Sequence, residues 1–144
     1  MATSSLRLLV ADDFEPFRRV VASILQERPE LQIVCEVSDG LKAVQRAEEL
    51  QPDLILLDIG LPNLNGIEAA NRIRQVAPGT KIIFLTQNSD KEIVAAALRT
   101  GAHGYVLKKD AGRELLAGVA GVLAGNDFVS SGVERGDSGE TGDT

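Results

Sequence analysis

The chain has 144 residues, about the length of one domain, and its 21 acidic against 15 basic residues give a net charge of −6. A chain of this length buries enough surface to fold without a disulfide or a cofactor, and a single cysteine, Cys35, excludes an internal disulfide. It has no Lys/Arg stripe suited to a phosphate backbone and no apolar segment near the ~20 residues of a membrane span. We therefore expect a cytoplasmic protein that contacts neither nucleic acid nor membrane directly.

Five short apolar runs alternate along the chain with longer segments in which apolar residues recur every three or four positions. This alternation predicts five strands, each followed by a helix. The predicted strands occupy residues 6–11, 31–37, 53–57, 81–85 and 104–107. Local signals agree with this order, namely Asp39 and the segment 89–92 at helix starts, Gly101 and Gly125 at helix ends, and Pro52 and Pro78 just beyond helices.

The first, third and fourth runs are apolar without alternation, which is typical of strands covered by helices on both faces of a parallel sheet. Repeated strand–helix units of this kind predict an α/β fold with an open, doubly wound, five-stranded parallel sheet. A closed barrel of eight units would need about 250 residues. We predict a folded domain over residues 1–125. The segment 126–144 is rich in Gly, Ser and acid and has almost nothing to bury, so we predict a disordered tail there.

Polar side chains follow four of the predicted strands: Asp12 and Asp13 the first, Asp58 the third, Thr86 the fourth and Lys108 the fifth. In an open parallel sheet these positions meet at one edge, where such sheets place their functional crevice. Clustered carboxylates repel one another unless they share a cation, and oxygen ligands that leave room for water and a phosphate oxygen favour Mg²⁺. A carboxylate beside Mg²⁺, with a lysine and a hydroxyl to hold phosphate oxygens, is equipped to attack phosphorus and form an acyl phosphate.

Each of these residues also has a simpler explanation when it is considered alone. Asp12 and Asp13 could stabilise the start of the first helix, and Thr86 could cap the approach to the fourth. His103 falls in a predicted turn, where we expect a surface position. The functional interpretation is favoured over these simpler explanations because all the motifs occur together, in order, on alternating strands and helices.

With these motifs in order, residues 6 to about 125 resemble the receiver domain of bacterial two-component response regulators. The resemblance rests on Asp12-Asp13, on the segment DIGLPNLNG that begins at Asp58, on FLT ending in Thr86, and on GAHGYVLK ending in Lys108. It implies a flavodoxin-like (βα)5 fold with the strand order 2-1-3-4-5. It also implies a receiver domain over residues 1–125.

The resemblance implies that Asp58 accepts a phosphoryl group from a sensor histidine kinase or a phosphotransfer protein. Asp13, Asp58 and the backbone carbonyl of Gly60 would bind Mg²⁺, with Asp12 acting through a metal-bound water. The chain would then be a signalling switch and not an enzyme, since it would catalyse only its own phosphoryl transfer and autodephosphorylation.

The resemblance also assigns the residues that would respond to phosphorylation. Thr86 and Lys108 would hold the phosphoryl oxygens, and Tyr105 would turn inward as Thr86 moves. The fourth helix, fifth strand and fifth helix would form the output surface. Among the positions that depart from common receivers, Gln87 stands where a small residue is usual and Lys109 where proline is frequent, and Gly60 and Asn88 occupy positions that tune acyl-phosphate lifetime in the family. Without proline, a cis peptide bond after Lys108 would cost ~3 kcal/mol.

The segment 101–125 followed by FVSSG most resembles the NarL/FixJ type, in which a receiver is normally joined to a helix-turn-helix DNA-binding domain. The chain could be a stand-alone receiver or the receiver part of such a transcription regulator. A Mg²⁺-dependent phosphatase that uses the same carboxylate chemistry is a further alternative. Small residues on the fifth helix would allow close packing in a homodimer.

Overall fold

The computed structural model describes residues 5–133, which form a parallel sheet with helices on both faces. In this part of the chain no helix is both long and apolar enough to cross a membrane. In chain order the elements are β1 Leu6–Ala11, α1 Glu15–Leu25, β2 Leu31–Val37, α2 Gly40–Leu50, β3 Leu54–Leu57, α3 Gly66–Val76, β4 Lys81–Thr86, α4 Lys91–Arg99, β5 Gly104–Leu107, α5 Ala111–Leu123 and β6 Phe128–Val129. A single 3-10 turn, Lys108–Asp110, joins β5 to α5.

The strands lie in the order β2-β1-β3-β4-β5-β6, and every neighbouring pair is parallel. This confirms the predicted doubly wound α/β sheet and the order 2-1-3-4-5 of its first five strands. The prediction of five strands is wrong by one, since β6 pairs with the outer edge of β5. β1 and β3 lie side by side at the point where the winding direction reverses, so the ends of these two strands flank the crevice.

The sheet separates two apolar layers, and β3 contributes to both. Leu54 and Leu56 pack with residues of α1 and α5, whereas Ile55 and Leu57 pack with residues of α2, α3 and α4. All four side chains are at most 1% exposed, and burying each one contributes about 2 kcal/mol. The two-sided burial predicted from the aliphatic run is therefore confirmed. This burial holds rigid the strand that directly precedes Asp58.

Helix boundaries follow the predicted signals closely. The carboxylate of Asp39 accepts the Lys42 backbone N–H at the start of α2, and Asp90 caps α4 by accepting from Glu92 and Ile93. Gly101 and Gly125 follow the ends of α4 and α5 with φ of 89° and 100°. This left-handed backbone favours glycine, so both helix ends lie where the sequence predicts them.

The beginning of the predicted tail is ordered, which corrects the expectation of disorder from residue 126. The backbone N–H of Phe128 donates to the His103 carbonyl and that of Ser130 to the Tyr105 carbonyl, so the chain continues as a strand beside β5. Ser130 is fully buried, and Val133 is 5% exposed. Residues 134–144 lie outside the described residues, so the prediction of disorder there stays a prediction.

Candidate functional site

The carboxyl ends of β1 and β3 hold Asp12 and Asp58 through backbone pairing that extends one residue past each strand. The Asp12 N–H donates to the Val37 carbonyl, and the Asp58 N–H donates to the Ala11 carbonyl, both at 3.0 Å. Because the sheet itself fixes these two backbones, both side chains leave the same edge in set positions. The predicted convergence at the strand ends is therefore present.

Three carboxylates meet at this edge: oxygens of Asp12, Asp13 and Asp58 all lie within 4.8 Å of one another. Asp12 is 4% exposed and Asp58 7%, whereas Asp13 is exposed to solvent. Carboxylates this close repel one another, and burial of two of them strengthens the repulsion. The cluster therefore requires a positive charge.

Lys108 supplies one positive charge from the end of β5. Its Nζ lies 2.7 Å from Asp12 Oδ2 and 3.1 Å from Asp58 Oδ2. Partial burial by itself lowers the pKa of Lys108, but the hydrogen bond to Asp12 and the charge of Asp58 outweigh it and raise that pKa above its ordinary value. The side chain therefore stays a cation, positioned between two buried acids.

The loop after Asp58 returns close to the same residue, and this return requires glycine. A Cβ on Gly66 would lie 2.0 Å from the Asp58 carbonyl oxygen, so any larger residue would displace the loop. Asn65 caps α3 at this point by accepting the N–H groups of Ile67 and Glu68. Gly60, in contrast, is exposed, and its N–H lies 3.4 Å from Asp58 Oδ1.

A cavity of about 420 Å³ opens over the three acids. It could hold a hydrated cation together with a phosphoryl group. Its walls are formed by Asp13, Phe14, Asp58, Ile59, Gly60, Thr86, Gln87, Asn88 and Lys108.

Thr86 and Tyr105 connect this cavity to the interior of the domain. Thr86 is 2% exposed and lines the cavity, and its Oγ1 lies 3.4 Å from the Asn88 backbone N–H. Tyr105 is fully buried, and its hydroxyl donates to the Asn88 carbonyl at 2.7 Å. Burial, with the negative charges of Asp58 and Asp90, raises the pKa of Tyr105 well above its ordinary value, so the hydroxyl stays a donor. The loop after Thr86 thus holds the Tyr105 side chain.

Of the positions that depart from common receivers, Gln87 lies at the cavity and Lys109 lies in the 3-10 turn that follows β5. Gln87 lines the cavity, and both Gln87 and Lys109 are exposed. No peptide bond among the described residues is cis, so the Lys108–Lys109 bond is trans.

One residue of consequence at the site, Arg18, was not singled out by sequence reasoning, and His103, which precedes β5, departs from its predicted surface position. Arg18 donates to the Asp12 carbonyl at 2.6 Å and pairs with Glu36 at 2.9 Å, which fixes the loop between β1 and α1. His103 is half-buried instead of lying on the surface, and its Nδ1 accepts the Ile82 N–H at 3.1 Å. Arg18 belongs to none of the motifs identified in the sequence, and the motif GAHGYVLK, which contains His103, gives no sign of its partner. Glu36 lies on β2 and Ile82 on β4, so these contacts join residues far apart in the sequence. A pattern of residues along the chain does not display such contacts.

The donor set of the site suits a hard, oxygen-preferring cation. Carboxylates of Asp13 and Asp58 face the cavity, and the exposed loop at Gly60 can add a backbone carbonyl. Sulfur and imidazole ligands are absent from the described cavity lining. This combination, with space left for waters, fits Mg²⁺. A cavity with a carboxylate, a lysine and a threonine is chemically equipped for phosphoryl transfer.

Comparison with known proteins agrees with this chemistry. A family model described as "Response regulator receiver domain" matches residues 8–120. Transcriptional regulatory protein DegU of Brevibacillus brevis is 35% identical over 126 residues, which is 88% of this chain and 53% of that protein. The nitrate/nitrite response regulator NarL of Escherichia coli is 33% identical over 123 residues, which is 85% of this chain and 57% of that protein. The chain thus spans about half the length of these relatives.

Solved structures agree as well. A two-component response regulator of the LuxR family from Aurantimonas sp. superposes with a TM-score of 0.90 at 29% identity, covering 96% of this chain and 99% of that one. The receiver domain of a putative NarL from Mycobacterium tuberculosis superposes with a TM-score of 0.81 at 28% identity, covering 86% and 100%. The chain therefore belongs to the response regulator receiver domain family, with relatives of the NarL and LuxR type.

Proposed function

We propose that this receiver is switched by transfer of a phosphoryl group to the carboxylate of Asp58. The observation that carries the proposal is the position of Asp58. It is 7% exposed at the end of a fully buried strand, lines the 420 Å³ cavity, and lies 3.1 Å from Lys108 Nζ and within 4.8 Å of two further carboxylates. The phosphoryl donor would be the phosphohistidine of a sensor kinase or a phosphotransfer protein.

In the transfer, an oxygen of Asp58 forms a bond to phosphorus while the bond between phosphorus and the donor histidine nitrogen breaks. The electron pair of that bond returns to the imidazole. Lys108 and the Thr86 hydroxyl would hold oxygens of the transferred group, and their position in the lining of the same cavity as Asp58 supports this role. Their contribution is positioning and electrostatic stabilisation, which dominate phosphoryl transfer in general.

Asp13, Asp58 and the carbonyl of Gly60 would hold Mg²⁺, with Asp12 acting through a bound water. The ion, when bound, neutralises charge on the phosphoryl oxygens and orients them. The exposed position of Asp13 leaves its carboxylate accessible to a hydrated cation. The 2.7 Å contact of Asp12 with Lys108 supports an indirect role for Asp12, since one of its oxygens already accepts from the lysine.

Thr86 and Tyr105 would transmit the phosphorylated state. The predicted inward turn of Tyr105 would end at the buried position that the ring occupies here, with its hydroxyl on the Asn88 carbonyl. Movement of Thr86 toward a phosphoryl group would shift Asn88, two residues later, and thereby this hydrogen bond. The output surface would comprise α4, β5 and α5.

Transcriptional control is the output that the relatives support, because their names describe transcriptional regulators and a nitrate/nitrite response regulator. We infer that the receiver acts in the cytoplasm and controls DNA binding by an attached or associated domain, without contacting DNA itself. A homodimer packed through α5 would be one way to do so. Sedimentation with and without beryllofluoride would test it, and an unchanged monomer would contradict phosphorylation-driven dimerisation.

Incubation with acetyl phosphate and Mg²⁺ tests the central proposal without a partner protein. We expect one acid-labile phosphate per chain in the wild type and none in Asp58→Asn, which keeps the shape of the side chain but removes the nucleophilic charge. Retention of the label by Asp58→Asn would sink the assignment. Sustained hydrolysis of an added phosphoester, beyond stoichiometric labelling, would instead indicate the phosphatase alternative.

A further inference from the structure

The Lys108 ammonium has a third neighbour besides the two carboxylates. Its Nζ lies 4.7 Å from the centre of the Phe17 ring, over the ring face. An ammonium group offers three N–H donors, and two acids cover only two sides of it. The negative face of an aromatic ring attracts a cation at this distance. Phe17 thus covers a side of the charge that would otherwise face solvent.

The position of the Phe17 ring does not depend on Lys108. Phe17 lies in the first turn of α1, after Pro16, and its backbone N–H donates to the Phe14 carbonyl at 3.0 Å. The half-buried ring packs against the apolar layer between the sheet and helices α1 and α5. Helix and core therefore hold the ring in place, and the flexible lysine is the partner that gains order from the contact.

The two ion pairs of Lys108 change differently when Asp58 is phosphorylated. The pair with Asp12 is the shorter, at 2.7 Å against 3.1 Å for Asp58. On phosphorylation, the Asp58 carboxylate becomes an acyl phosphate and its negative charge moves to the phosphoryl oxygens. Lys108 would then exchange its Asp58 contact for one of those oxygens, whereas its contacts with Asp12 and the Phe17 ring involve no atom of the reacting group.

We propose that Phe17 is a positioning residue that keeps the Lys108 ammonium at the cavity while Asp58 is converted to its phosphorylated form. The inference rests on the proposed role of Lys108. An aliphatic side chain at position 17 would fill the same apolar space without a negative face. The lysine, whose side chain is 16% exposed, would then spend more time away from the reacting group.

A double-mutant cycle on the rate of labelling by acetyl phosphate and Mg²⁺ tests this inference. Phe17→Leu should slow labelling about three- to tenfold, the range expected for losing one partly desolvated cation–π contact. Lys108→Met should slow it by more. In the Lys108→Met background, Phe17→Leu should change the rate less than about twofold, because the cation that the ring positions is gone. Phe17→Tyr keeps the ring face and should label at close to the wild-type rate.

Phe128→Leu is the matched control. Phe128 is also half-buried and packs against the same apolar layer, but its ring lies over Gly118, away from the cavity. The Phe128→Leu variant loses the same aromatic ring as Phe17→Leu and should still be labelled at the wild-type rate. If Phe17→Leu does not fold, shown by the absence of a cooperative thermal transition, Phe17→Met takes its place.

Three results would overturn the inference, and the first two are distinguishable from the third. An equal slowing by Phe17→Leu with and without Lys108, or no slowing at all, would show that Phe17 does not act through Lys108. Either of these results leaves the proposed function intact. Labelling of the Lys108→Met variant at the wild-type rate would contradict the role of Lys108 itself. The role of Phe17 would then fail with it.

Discussion

Two groups of acidic side chains follow strand ends in this receiver, and the protein uses them in opposite ways. At the cavity, Asp12 and Asp58 are buried beside one lysine, and Asp58 still faces about 420 Å³ of open space. After β5, the 4% exposed Asp110 and the half-buried Glu114 are closed off by hydroxyls of the same chain.

The carboxylates of the second group are contacted by side chains of the same domain. Ser130 Oγ lies 2.6 Å from Asp110 Oδ2 and 3.0 Å from Glu114 Oε1, and Ser131 Oγ lies 2.7 Å from Glu114 Oε2. Arg113 adds a contact of 2.7 Å to Asp110. These bonds secure the segment after α5. The comparison teaches that buried acids alone do not make a site, since a reactive carboxylate also needs open space in front of it.

The largest expected difference between the two groups concerns phosphorylation. Asp13→Asn should slow labelling by acetyl phosphate and Mg²⁺ by at least about tenfold, because it removes a proposed direct ligand of the metal, and loss of even an outer-shell partner costs that much. Asp110→Asn, a matched loss of one acid, should label within about twofold of the wild type. Comparable slowing by the two variants would break the distinction drawn between the groups.

The second expected difference concerns the free energy of unfolding in urea. Ser130→Ala should lower it by about 2 kcal/mol, because a buried carboxylate loses its hydroxyl donor. Ser131→Ala should cost less, since Ser131 is only half-buried and water can take the place of its hydroxyl. A Ser130→Ala variant as stable as the wild type would show that the ordered segment does not depend on this network.

Mg²⁺ should stabilise the domain through the first group only. At a concentration ten times the dissociation constant, a bound ion adds about 1.4 kcal/mol, which thermal unfolding would record as a higher midpoint. Asp13→Asn should lose this increase, and Asp110→Asn should keep it. An increase that survives Asp13→Asn would place the ion elsewhere.

The smallest expected effect is a dependence of stability on acid pH that comes from the second group. The Ser130 hydroxyl lowers the pKa of Asp110, and the Ser131 hydroxyl lowers that of Glu114. Because both values lie below those of the unfolded chain, the unfolded state binds more protons as the pH falls through about 4. This contribution to stability is therefore present above that range and is lost below it.

Urea unfolding from pH 6 down to the acid range would measure this loss. The double substitution Ser130→Ala with Ser131→Ala should flatten the slope, because it removes the hydroxyl hydrogen bonds that lower the pKa values of Asp110 and Glu114 most. An unchanged slope would mean that other acids control the acid stability of the domain.

Much of the fold was predictable because its causes are local. The apolar runs of the strands, the cap at Asp39 and the glycines that end α4 and α5 act over a few residues, and each predicted feature is present. The edge of the sheet on which Asp12, Asp58 and Lys108 meet was also predictable, since parallel strands bring their carboxyl ends together. β6 was missed because the composition of the tail concealed a short segment that pairs with β5.

The sequence by itself determined the alternation of strands and helices and the types of residue at the strand ends, because hydrophobic periodicity and local capping depend only on neighbours along the chain. Tertiary structure alone decided which acids are satisfied and which remain available. Asp110 and Asp58 both follow apolar strands in the sequence, but one meets the hydroxyl of a residue twenty positions later and the other faces a cavity. Such partners come together only when β5, α5 and the following segment pack, since hydrogen bonding and burial act through space.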